Sequence, residues 1–155
     1  MMSIVEQLFR FGVHNPEKVA LLNGKQSQTY EELLKGILYA KDILEKKYGI
    51  RKGDRIILAA DKQMEFVSVY FACHLLETVA LPIAPDTNAK RYKLIQDKVM
   101  PSLVVGFSNT DNNVNNADLS DFSGAAISIN LEEVSFPELD SIADIILSAT
   151  LLISA

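Results

Sequence analysis

Apolar positions along this chain fall into two rhythms, one of helical period and one of short buried runs. Val5, Leu8, Phe9 and Phe11 to Val13 mark a first helical face, opened by Ser3-Ile-Val-Glu6 in capping-box form and ended near Pro16. Lys18 to Leu22 and Gln26 to Thr29 flank Asn23-Gly24, a strong hairpin signal, and predict two short antiparallel strands. A second capping box, Thr29-Tyr30-Glu31-Glu32, opens the clearest helix, with Tyr30, Leu33, Leu34, Ile37, Leu38, Leu44 and Tyr48 at helical spacing. Gly49 stands where a left-handed residue would end it.

Beyond Lys52-Gly53-Asp54 the rhythm changes. Arg55 to Ala60 has an apolar centre on both faces, the pattern of a central parallel strand. Asp61 is placed to cap a helix from about Gln63 to Leu76, apolar over most of its surface. Val79 to Ile83 reads as a strand stopped by Pro82 and Pro85, Ala89 to Lys98 as a charged helix carrying Leu94 and Ile95, and Leu103 to Gly106 as a third buried strand. This alternation implies right-handed crossovers and an α/β fold: a mostly parallel, doubly wound sheet with flanking helices and a small N-terminal hairpin. The Asn-, Ser- and Asp-rich stretch 107–124 reads as a solvated loop. Ala126 to Ile129 and Ile142 to Leu147 are expected to be further strands, so the chain divides into 1–106, 107–124 and 125–155.

With 155 residues, 48% of them hydrophobic and 23% charged, the chain is long enough for one domain with a real core. A net charge of −5 argues against general nucleic-acid binding. The charge is lopsided: residues 1–98 hold all 15 Lys and Arg against 12 acidic residues, while 99–155 hold eight acidic residues and no basic one. A lone cysteine, Cys73, excludes a disulfide scaffold and suits a reducing cytoplasm. Neither a secretory signal nor a membrane span is visible, so a cytoplasmic location is expected, with no membrane and no nucleic acid as partner.

Candidate chemistry is sparse. Cys73 and His74 are neighbours on a helix and point about 100° apart, which prevents them from chelating one ion. His14 lies at a helix end. A satisfied core or surface role is expected of these residues. Glu31 and Glu32 belong to a cap, and Glu132 and Glu133 to a solvated helix start or loop. No nucleophile elbow is present, and neither glycine-rich phosphate motif occurs. The turn after Ala60 carries Asp61, which repels phosphate, and the turn after Leu81 is built from prolines, which lack amide donors. No residue of this chain is assigned to catalysis, cofactor binding or a metal.

Thr29-Tyr30-x-Glu32-Leu33 resembles the first core motif of the adenylate-forming (AMP-binding) superfamily, which contains acyl-CoA synthetases, peptide-synthetase adenylation domains and luciferases. The later segments keep the family's order: Gly49-x-x-x-Gly53-Asp54-x-Ile56, then Ala72 to Pro85 with Val79-Ala80-Leu81-Pro82-Ile83, then Arg91, Leu94 and Ile95, then Ser102 to Val105. Asn15-Pro16-Glu17-Lys18-Val19-Ala20 is similar to the family's opening. The resemblance runs over about residues 1–106 and less specifically to Leu147, and implies an incomplete N-terminal subdomain of the acyl-CoA synthetase fold. One departure is Glu77, where the family has glycine.

The family reaction joins a carboxylate to ATP as acyl-AMP and then passes the acyl group to a thiol such as coenzyme A. ATP, Mg²⁺ and coenzyme A are therefore implied for a full-length parent and none for this fragment. Where the family has Ser-Gly-Thr-Thr-Gly-x-Pro-Lys-Gly, this chain has Ser148-Ala149-Thr150 and the apolar Leu151-Leu-Ile-Ser-Ala155. Thr29, Tyr30, Glu32, Gly53, Asp54 and Pro82 are read as structural. The expectation is an N-terminal ligase fragment, truncated before the phosphate loop and inactive alone. Its partner would be the remainder of the ligase, in the same chain or as a separate subunit of a split enzyme. The alternative is a standalone protein-binding module that forms a homodimer.

Overall fold

The structure is a computed structural model, and it describes residues 2–107 and 113–137. Helix α1 (Ile4–His14) starts as its cap dictates, with the Ser3 hydroxyl accepting from the Glu6 amide at 3.2 Å. Strands β1 (Val19–Asn23) and β2 (Gln26–Thr29) form the expected hairpin, its turn made possible by Gly24 at φ +61°. Helix α2 (Tyr30–Lys46) opens on a complete capping box. The Thr29 hydroxyl accepts from the Glu32 amide at 3.2 Å, and the Glu32 carboxylate accepts from the Thr29 amide at 3.1 Å.

Among the described residues the main sheet has four strands in the order β4-β3-β5-β6, all parallel: β3 (Arg55–Ala59), β4 (Val79–Ile83), β5 (Leu103–Val105) and β6 (Asn116–Ala117). Helix α3 (Met64–Leu75) connects β3 to β4, and α4 (Ala89–Val99) connects β4 to β5 across β3. Strand period 2 sends Ile56, Leu58, Ala80, Leu103 and Val105 to one face, packed with Val5, Phe9, Leu34, Ile37, Val69 and Ala72 of the first three helices. Ile57, Leu81, Ile83 and Val104 face the other way, onto Tyr92 and Val99 of α4. Helices therefore cover both faces, the doubly wound arrangement.

Four expectations need correction. Asp61 does not cap α3: Gln63 holds the N-cap position without a side-chain bond, while Asp61 accepts from the Lys62 amide and the Gln63 side chain. Pro82 does not stop its strand. It pairs with Leu58 inside β4, which is possible because β4 is an edge strand with no neighbour needing the missing N–H. The stretch 107–124 is not merely a solvated loop, since it supplies β6 and a short 3₁₀ helix, Leu119–Phe122, whose Leu119 and Phe122 are buried. Polar composition hid two apolar anchors. Ala126 to Ile129 forms no strand and leaves Ile127 97% exposed. The expected strand Ile142 to Leu147 and the apolar tail lie outside the described residues.

Candidate functional site

The motif residues occupy structural posts. Tyr30 packs edge-on against Phe11 with ring centroids 5.0 Å apart. Gly53, at φ +87°, donates its amide to the Glu77 carbonyl at 3.0 Å, and the Asp54 carboxylate accepts from the Arg51 amide at 2.8 Å. The Asp54 carbonyl in turn accepts from the Val79 amide at 2.8 Å, so this turn ties the start of β3 to the start of β4. Glu77 holds φ +55°, a left-handed conformation that a glycine would adopt freely, and its carboxylate lies 3.3 Å from Lys52 Nζ.

A doubly wound sheet offers a ligand crevice at the carboxyl ends of its strands, where successive crossovers diverge; here that is between β3 and β5. Three amides there are engaged. The Ala60 amide donates to Ile83 O at 2.8 Å, the Asp61 amide to Ala59 O at 2.8 Å, and the Gly106 amide to Ala117 O at 2.9 Å. Gly106, at φ +88°, lets two strands close up, because a Cβ there would stand 2.7 Å from the Ala59 Cβ. With these three amides used and the Asp61 carboxylate beside them, the turn after β3 is a poor seat for an ATP phosphate chain. No adenylation step is derived through these residues.

Two clefts remain. One, of about 230 Å³, runs along the free edge of β4 and is lined by Leu81, Pro82, Ile83, Thr87, Arg91 and Ile95. The other, of about 290 Å³, lies where β2, α2 and α3 meet the segment 123–125. Its floor holds the Ser68 hydroxyl and the Gln28 amide, and its walls include Glu32, Lys35 and Glu65. Glu65 Oε1 accepts from the Ser123 hydroxyl at 2.8 Å, and Lys35 Nζ pairs with Glu31 at 3.0 Å. Sequence reasoning missed this convergence. The isolated Gly36 within a helical pattern was the available signal.

The remaining chemistry-bearing side chains are dispersed. Cys73 is fully buried and its thiol is pushed up to about 12, so it stays protonated. His74, 2% exposed, is not the satisfied core histidine that the sequence suggested: among the described residues neither ring nitrogen has a hydrogen-bond partner, and burial lowers its pKa. His14 Nδ1 lies 2.8 Å from Arg10 O at the exposed end of α1. Among the described residues no three His, Cys, Asp or Glu side chains come together as a metal site, and no helix is long and apolar enough to cross a membrane.

The sequence profile of the AMP-binding enzyme family matches residues 8–144, most of the chain. The chain belongs to this family. Solved structures agree on the fold. IdnL1 is 25% identical, with a TM-score of 0.66 over 75% of this chain and 25% of its own. The o-succinylbenzoate CoA synthetase MenE of Bacillus subtilis, in complex with the acyl-adenylate intermediate OSB-AMP, is 21% identical, with a TM-score of 0.66 over 79% of this chain and 33% of its own. The N-terminal subdomain of Klebsiella oxytoca NpsA, in complex with 3-hydroxybenzoyl-AMSN, is 13% identical, with a TM-score of 0.72 over 90% of this chain and 36% of its own. This AMP-binding chain thus spans between a quarter and about a third of the length of these relatives. None of the curated proteins matches it.

Proposed function

We propose that this chain is the N-terminal α/β portion of an adenylate-forming acid–thiol ligase, acting as the scaffold on which the nucleotide- and acyl-gripping segments assemble. The parent reaction is activation of a carboxylate by ATP to acyl-AMP and pyrophosphate, followed by transfer of the acyl group to coenzyme A. One observation carries the reading: the residues matching the family's motifs act here as caps, turns and strand pairs. ATP, Mg²⁺ and coenzyme A would be held by other segments of the ligase. A different structure of MenE is a complex with ATP and a magnesium ion.

The 155-residue chain alone is expected to form no acyl-adenylate. The check is pyrophosphate release by the purified chain with ATP, Mg²⁺ and a panel of aliphatic, aromatic and amino acids. Carboxylate-dependent release above the no-acid control would overturn the proposal. The remainder of the ligase, in the same chain or as a separate subunit, is the natural cover for the thinly protected α4 side. There Leu94 and Met100 are 58% and 72% exposed.

A further inference from the structure

The cleft between β2, α2 and α3 has the chemistry of a small cation site, and nothing in the adenylation reading uses it. Ser68 is 3% exposed, lines the cleft, and its hydroxyl has no hydrogen-bond partner among the described residues. The Gln28 side-chain Oε1, buried at the same place, also has no partner. Buried polar atoms are rarely left unpaired, so the Gln28 oxygen beside the unpartnered Ser68 hydroxyl points to a missing ligand group. Gly36 leaves the room: a Cβ at that position would stand 3.0 Å from Ser68 Oγ and 3.9 Å from Gln28 Nε2.

Its charge and hydrogen-bonding balance select a donor. Glu32 spends one oxygen on the Thr29 amide and Glu65 one on the Ser123 hydroxyl, which leaves the second oxygen of each carboxylate for a ligand. Lys35, the one cation of the lining, is paired with Glu31, so the surroundings remain negative. The positive ends of α2 and α3 are answered by Glu32 and Glu65 themselves, both in first turns. Carboxylates, an amide oxygen and a hydroxyl in a cleft of about 290 Å³ match a planar, multiply donating cation. We propose that this cleft binds a guanidinium group, as presented by an arginine side chain.

The probe is N-acetyl-arginine amide, titrated into the ¹⁵N-labelled 155-residue chain and followed by NMR. N-acetyl-citrulline amide, the neutral urea of the same shape, serves as control. Saturable shifts of the Gln28, Gly36, Ser68 and Ala125 amides are expected, with dissociation constants on the order of millimolar for so small a ligand. The citrulline compound should bind at least about tenfold more weakly, because it lacks the charge. Glu65→Gln and Gly36→Ala, the second filling the floor with a methyl group, should each weaken the arginine probe. Ser68→Ala provides a check that does not crowd the helix crossing. Absence of saturable shifts at these amides, equal binding of the two probes, or preferential binding of acetate or phosphate would overturn the proposal.

Discussion

The two faces of the parallel sheet are built to different depths. On one, Ile56, Leu58, Leu103 and Val105 lie beneath α1, α2 and α3, with Leu119 and Phe122 closing the side. On the other, Ile57, Leu81, Ile83 and Val104 pack against Tyr92 and Val99 of α4, with Phe107 and Val114 partly buried beside them. Among the described residues the Tyr92 hydroxyl and Gln96 Oε1 on this side are buried without partners, while Leu94 and Met100 are exposed. The difference separates the face that carries most of the packing from the face that carries less. Packing energy accumulates where side chains are surrounded on all sides.

The sharpest way to break that contrast is a matched pair of truncations. Leu58 and Leu81 are both essentially inaccessible, and Leu58 faces the thick layer while Leu81 faces α4. Leu58→Ala should cost about 4 kcal/mol, because the crowded surroundings relax little around the cavity. Leu81→Ala should cost about 2 kcal/mol, since one helix on an edge strand shifts to fill part of the space. Urea unfolding of both variants measures the gap. Equal costs would mean that the two faces are equally consolidated.

A buried histidine on the thick side sharpens the contrast through pH. His74 packs against Tyr70 and Phe71 with centroid distances of 4.7 and 5.8 Å, and desolvation holds its pKa below the usual 6.5. Its folded form resists protonation more than its unfolded form. Stability is therefore unaffected above pH 6.5, declines as pH falls from 6.5 toward the folded-state pKa, and levels off below it. The urea midpoint should be lower at about pH 5.5 than at about pH 7.5, and His74→Leu should flatten this dependence. An unchanged wild-type midpoint across that interval would contradict the burial argument.

Much of this architecture was legible in the residues because local and global signals coincided. Thr29 and Glu32 announced a cap that forms in full, and the Ile56-to-Ala59 run announced a central strand. What was illegible depends on partners distant in the chain. Whether Pro82 ends a strand or sits in one is decided by whether another strand lies beyond it. Phe122 sits in a polar stretch, and only its tilted contact with Tyr48, 6.1 Å between centroids, shows it to be core. Glu77 stood out as a departure from glycine, but its left-handed φ of +55° is a backbone fact that no side-chain pattern contains. The cleft of Gln28, Gly36 and Ser68 was hidden for the same reason, since its parts come from three separate elements.

The smallest expected effect tests the thin side most directly. Tyr92 is 7% exposed, stacks at a tilt on Phe107 with centroids 5.0 Å apart, and its pKa is pushed up to about 12 by burial. Its hydroxyl is buried with no hydrogen-bond partner among the described residues, an arrangement that costs stability. Tyr92→Phe keeps the ring and its packing while removing the unpaired group, and should raise stability by about 1 kcal/mol. The same substitution in a complete ligase should give no such gain if the added cover supplies an acceptor or donor there. A stabilising effect confined to the short chain would show that the α4 side is shaped for contacts made beyond these 155 residues. Loss of stability in the short chain would mean that the hydroxyl is already satisfied, and that the two faces differ less than their layers suggest.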